Sequence, residues 1–208
     1  MQHLIDAALA DAYTYSAYRT HLTTLLAAGR TTGPNQGPTY IAAATINQSR
    51  MDRLDRRVRL LPELETAFAA LDRDLIVLTI TEGWCGDAAQ IVPLVNHLAE
   101  LSPHLTHRLV LRDEHTELMD HFLTDGGRGI PMILFLDAAT HAVVGRYGPR
   151  PAPAQQLAMD YKYQRGEYTD YDAYNKALHT WYARDKTRTT QRELAELLPR
   201  LAVSSGHE

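Results

Sequence analysis

Trp84-Cys85-Gly86-Asp87-Ala88-Ala89-Gln90-Ile91-Val92-Pro93 stands just beyond Leu75-Ile76-Val77-Leu78-Thr79-Ile80, and the passage from one to the other decides how the chain is read. Leu75–Ile80 is a continuous β-prone run, as expected of a strand buried on both faces. Gly83 and Gly86 break it, and Ala88–Leu101 then reads as a helix that carries Pro93. A cysteine at such a helix start faces unsatisfied backbone N–H groups and the positive end of the helix dipole, both of which favour thiolate.

Working outward, Leu105–Leu111 reads as a second strand and Asp113–Thr124 as a helix closed by Gly126 and Gly127. Met132–Leu136 and Val143–Tyr147 read as two further strands joined by a short turn. The N-terminal third is helical: Tyr15, Tyr18, Leu22, Leu25 and Leu26 recur at helical steps. A turn-rich loop over 31–39 leads to a second helix, with Ile41, Ala44, Met51, Leu54 and Val58 on one face. Its Arg50, Arg53, Arg56 and Arg57 read as a solvated stripe, and Pro62 opens a short third helix. In the last third, Leu157–Gln164 and a segment lined by Tyr171, Tyr174, Leu178 and Trp181 read as helices. Thr190-Gln191-Arg192-Glu193 has the form of a capping box before Leu194. The expectation is an α/β chain with a four-stranded mixed sheet flanked by helices, organised as a single domain over 1–208. Within it, 1–72 is a helical N-terminal extension, 73–150 the core, and 151–208 a helical C-terminal part.

Composition narrows the function. The formal charge of −4 and pI near 6.2 give no electrostatic case for nucleic acid or an anionic membrane. The one cysteine excludes an intramolecular disulfide and a cysteine-cluster metal site. A lone thiol and an N-terminus without a basic, apolar leader pattern point to a cytoplasmic protein. His97, His104 and His107 straddle a helix end at Pro103 and read as solvated rather than metal-ligating, so neither metal nor cofactor is expected. Trp181 and Tyr182 read as core packing.

The segment Trp84–Pro93 resembles the thioredoxin active-site turn and the helix it opens. Cys85 matches the nucleophile, Trp84 the tryptophan before it, and Pro93 the proline within the helix. Arg128-Gly129-Ile130-Pro131 resembles the segment with the family's cis-proline, followed by the expected strand. Three longer stretches, Asn47–Leu54, Thr81–Gln90 and Trp181–Thr187, are similar to a bacterial group known simply as thioredoxin family protein. That resemblance spans nearly the whole chain, and it implies a thioredoxin-like fold with helical additions.

The resemblance also implies a site: Cys85 as the catalytic thiol, with Trp84, Gly86, Asp87, Ile130 and Pro131 contacting substrate. The backbone edge at Ile130 would pair with an extended peptide. Ala88 stands where the family has its resolving cysteine, and Thr79 where it has a buried acid, so an autonomous dithiol mechanism is excluded. Two functions follow. One is a monothiol thiol–disulfide oxidoreductase acting on protein or mixed disulfides, released by an external low-molecular-weight thiol. The other is a redox-inert module that binds peptide or protein. With Asp87 solvated and Cys85 accessible, the helix-end effect predicts a thiol pKa modestly below that of free cysteine.

Overall fold

The computed structural model describes residues 1–202; residues 203–208 of the C-terminal part lie outside the described residues. The sheet contains β1 (Leu75–Thr81), β2 (Leu105–Leu111), β3 (Met132–Asp137) and β4 (Val143–Tyr147) in the order β2-β1-β3-β4. β1 and β2 are parallel, while β3 runs antiparallel to both β1 and β4. Between β1 and β2 lies α5 (Ala88–Leu101), whose Pro93 interrupts the helix interior.

Strand alternation divides the core between the two faces of the sheet. Leu78 and Ile80 of β1 join Met132, Leu134 and Leu136 of β3 in one cluster. That cluster is covered by α1 (Gln2–Ala10) and α2 (Tyr15–Ala27) through Ile5, Tyr18 and Leu22. Leu75 and Val77 join Ile133 and Phe135 in the other, under α4 (Pro62–Ala69) and α9 (Arg188–Ala202). α5 serves both: Ala88, Ala89 and Val92 face the first cluster, and Ile91, Leu94, Val95 and Leu98 the second. Each such fully buried branched side chain stabilises by about 1.5–3 kcal/mol. The long helix α3 (Pro38–Arg57) packs along α5 and supplies Met51 and Leu54 to the two clusters. The four-stranded mixed sheet with helices on both faces is the fold that the sequence implied.

Several elements differ from the sequence reading. α1 is a separate helix ahead of the one expected from Tyr15 onward. The helix expected over 113–124 shrinks to α6 (Thr116–Asp120). The Asp113 N–H is taken by the Glu82 carboxylate, and Asp125 turns left-handed at φ 50° before a Thr124–Gly127 bridge. α7 (Ala152–Lys162) starts earlier than read. α9 begins at Arg188, so Thr190 is no N-cap but lies buried within the helix. Its Glu193 accepts instead from the Tyr147 hydroxyl and the Ala152 N–H. His107, read as solvated, is buried in β2 between Thr79 and Asn96.

Candidate functional site

The turn between β1 and α5 is held from the N-terminal extension, by the loop before α3 and by α3 itself. The Gly83 N–H donates to Thr32 Oγ1 at 2.9 Å, and the Gly83 carbonyl accepts from Asn47 Nδ2 at 3.0 Å. Both flanking peptide groups of Gly83 are thereby fixed, and Cys85 closes the turn with its N–H on the Glu82 carbonyl. Cys85 Sγ donates to the Ile130 carbonyl at 3.3 Å and accepts from the Ala88 N–H at 3.4 Å. The Ile130–Pro131 peptide bond is cis, as is Gly148–Pro149.

Cys85 is buried, with 7% of its surface exposed. Burial, followed by the charge of Asp87, pushes its thiol up to about 12, against the opposing effects of the Ala88 N–H and Arg150. This corrects the expectation of an accessible thiol with a depressed pKa. The helix-end N–H is present, but it acts on a group that has lost its water, and desolvation is the larger effect.

Asp87 is also not solvated. Its carboxylate accepts from the Tyr182 hydroxyl at 2.8 Å and pairs with Arg150 at 2.7 Å. Burial holds its carboxyl above the usual carboxylate range in spite of those partners. Tyr182 belongs to α8 (Tyr171–Asp185), which lies over the turn. A Cβ at Gly86 would stand 2.7 Å from the His179 ring of the same helix. The C-terminal helices therefore cover the site that sequence reasoning left open.

Of the expected substrate contacts, Ile130 touches Cys85 through its carbonyl but is 5% exposed, and Pro131 is buried. Trp84 is half-buried between the edge of Tyr40, 5.2 Å between centroids, and the Arg112 guanidinium 4.9 Å over its ring. Gly86 and Asp87 face α8. Thr79 is buried and bonded to His107 Nε2 at 3.0 Å.

Sequence reasoning missed the cover and a second acid. Arg150 and His179 carry no local motif, and Tyr182, although it lies within the Trp181–Thr187 stretch, read as packing. Glu82, 1% exposed, accepts the Asp113 N–H on Oε1, while its buried Oε2 lacks a partner among the described residues. Burial raises its carboxyl to about 7. A glutamate one residue past an apolar strand gave the only signal. Among the described residues no three His, Cys, Asp or Glu side chains are grouped so as to hold a metal, and no helix is long and apolar enough to cross a membrane.

Comparisons with known proteins bear on the fold and the family. The family model described as Thioredoxin matches residues 34–162. No curated protein is significantly similar in sequence. Among solved structures, an HIV epitope-scaffold is 16% identical with a TM-score of 0.59, covering 98% of each chain. A protein of unknown function from Pseudomonas aeruginosa is 16% identical with a TM-score of 0.53, covering 90% of this chain and 98% of its own. At that identity the two structures speak for the fold alone. The matched model spans β1, the Cys85 turn, the Pro131 segment and β4, and the chain belongs to the thioredoxin family.

Proposed function

We propose that the chain is a monothiol thiol–disulfide oxidoreductase whose nucleophile, Cys85, is kept closed and protonated by its own C-terminal helices. The observation that carries this reading is the seat of Sγ between the Ala88 N–H and the Ile130 carbonyl. The first group would stabilise a thiolate; the second is the edge that an extended substrate would take up. In the closed form the resting thiol occupies both.

The cover is attached in a way that favours opening. Ala154 and Ala158 of α7 and Tyr174, Leu178 and Tyr182 of α8 form an apolar cluster of their own, apart from the two clusters on the sheet. The hairpin meets the turn through Asp87 and the His179 ring. A segment held by few shared apolar contacts opens at lower free energy than the core. Once it opens, Cys85 gives its proton to water and the thiolate attacks one sulfur of a protein or mixed disulfide. The substrate S–S bond breaks, a Cys85–S bond forms, and the second substrate sulfur leaves as a thiolate that takes a proton from water. An external low-molecular-weight thiolate then attacks the substrate sulfur of that mixed disulfide. Cys85 departs reduced, and the small thiol is left disulfide-bonded to the substrate. The external thiol is required because Ala88 replaces the resolving cysteine.

Alkylation of Cys85 at pH 7 tests this. With a thiol near 12, against about 8.5 for free cysteine, the wild type is expected to react on the order of a thousandfold more slowly than the free amino acid. Tyr182→Phe, which loosens α8 from Asp87, is expected to react faster than wild type. The burial of Cys85 itself favours a second reading, a redox-inert module that binds peptide or protein at the Trp84 face. A Cys85 equally unreactive in Tyr182→Phe and Asp87→Asn, with peptide binding unchanged in Cys85→Ser, would establish that module and sink the oxidoreductase.

A further inference from the structure

Beside Tyr182, a cavity of about 460 Å³ opens between the end of α3, the α8–α9 joint and the link from α3 to α4. Five cationic side chains line it: Arg53 and Arg57 of α3, Arg59 of the link, and Lys186 and Arg188 at the joint. No carboxylate lines it. In a chain of net charge −4 this is a strong local reversal of sign.

The reversal arises because the nearby acids are engaged elsewhere. Asp52 and Asp55, interleaved with Arg53 and Arg57 on α3, turn away to Arg19 of α2. Asp185, just before the joint, accepts the Thr189 N–H and hydroxyl and so caps the start of α9. Glu193 is taken by Tyr147 and Ala152. Among the described residues none of the five cations has an ion-pair partner; Arg53 reaches only the Gln90 amide at 3.4 Å, and Arg59 only the Val58 carbonyl. Like charges gathered in one concavity repel one another and raise the local concentration of anions.

The size and walls define the ligand further. The volume falls in the range of small-molecule pockets and far exceeds the space of one ion. Leu54, Leu60 and Tyr182 supply apolar wall beside the charges. Four of the five cations are arginines, whose planar forks match phosphate oxygens in pairs. We propose that this cavity binds a small organic molecule carrying two or more phosphate groups, with its phosphates on the arginines and its organic part against Leu54, Leu60 and Tyr182. The site is independent of how Cys85 is read, since neither the thiol nor the turn lines it.

Isothermal titration of the full chain with ATP, inorganic tripolyphosphate and citrate tests the assignment. ATP is expected to bind one per chain, and more weakly as salt rises. Arg57→Ala and Arg188→Ala, both at exposed backbone positions, are each expected to weaken it about tenfold. Arg56→Gln, on the same helix but outside the cavity, removes the same charge and is expected to leave affinity unchanged. Tighter binding of ATP than of tripolyphosphate supports the assignment, and equal affinity of the two would overturn the place given to the organic part. Absence of binding by both phosphates, citrate binding as tight as ATP, or an equal loss in Arg56→Gln would overturn it.

Discussion

Asp87 is the residue on which the closed site turns, because it is the buried charge between the thiol and the cover. Its pairing with Arg150 and the Tyr182 hydroxyl offsets the cost of desolvating it, and its charge in turn holds the Cys85 proton in place. Replacing it by asparagine removes the like charge next to the thiol and leaves Arg150 without its partner. Asp87→Asn is therefore expected to lower the Cys85 pKa and speed alkylation several-fold, while costing about 2 kcal/mol of stability from the half-buried cation that loses its partner. The two readouts, alkylation rate and urea midpoint, move in opposite senses; a faster thiol without loss of stability would show that Arg150 is not held by this pair. Glu82 is a second buried acid with a different consequence. Its carboxyl sits near 7 when folded and near 4.3 when unfolded, so between those values the folded chain holds a proton that the unfolded chain has released. Stability from this group is full below about pH 4 and is lost as the pH rises through 7, by about 4 kcal/mol. Glu82→Gln is expected to flatten that limb of a pH–stability profile; an unchanged slope between pH 5 and 8 would remove the assignment.

At the scale of elements, α8 approaches the Cys85 turn closely and the Gly148 corner approaches the Pro131 segment. Gly86 has room for α8 only because it lacks a Cβ: that atom would lie 2.7 Å from the His179 ring. In Gly86→Ala the His179 ring, whose tip makes the contact, is expected to swing away from the turn and raise Cys85 reactivity; an unchanged rate would mean that this ring does not shield the thiol. At the corner after β4, Gly148 adopts φ +120°, and a Cβ there would stand 2.3 Å from the Pro131 carbonyl oxygen. Since neither backbone can yield cheaply, Gly148→Ala is expected to cost about 3 kcal/mol in urea denaturation; a change under about 0.5 kcal/mol would refute the contact. These contacts also mark where sequence reading ended. β1 to β4 were legible because their apolar residues run continuously or alternate, and the turn was legible because Trp84, Cys85, Pro93 and Pro131 are local marks on adjacent elements. The burial of Asp87 was not, because its partner Tyr182 is 95 positions away and a carboxylate after a helix-start cysteine looks solvated in isolation. The helix over 113–124 starts late because the chain first turns back on the end of β2, with the Glu114 and His115 N–H groups on the Leu111 carbonyl, and His115 at φ −123°, ψ 47° lies outside helical backbone.

For the whole molecule, the question is whether the helical additions and the sheet unfold together. The N-terminal segment pairs Tyr13 with Leu109 on the β2 edge through both N–H···O bonds, and α1 and α2 bury Ile5, Tyr18 and Leu22 on one face of the sheet. At the other end, α9 buries Leu194, Leu198 and Leu201 with Leu64 of α4 and with Val77 and Phe135 of the sheet. Gln191 adds two hydrogen bonds, accepting from the Leu61 N–H and donating to the Arg59 carbonyl. Removing either addition would expose the sheet, so residues 1–202 are expected to melt in one transition, apart from α7 and α8, whose apolar cluster is their own. The two tryptophans separate these cases, since Trp84 packs against the first sheet cluster and Trp181 stacks edge-on against Tyr182 within the hairpin. In Trp181→Phe, the fluorescence of Trp84 and the far-UV circular dichroism are expected to share one urea midpoint. In Trp84→Phe, the Trp181 signal is expected to change at lower urea, and α8 amides to exchange faster than those of β1 and β3. Separate midpoints for Trp84 and circular dichroism would divide the chain into independent units. Coincidence of Trp181 with the global transition, together with α8 amides as protected as those of β1, would leave the cover no route to open short of unfolding, and with it no route for Cys85 to meet a substrate.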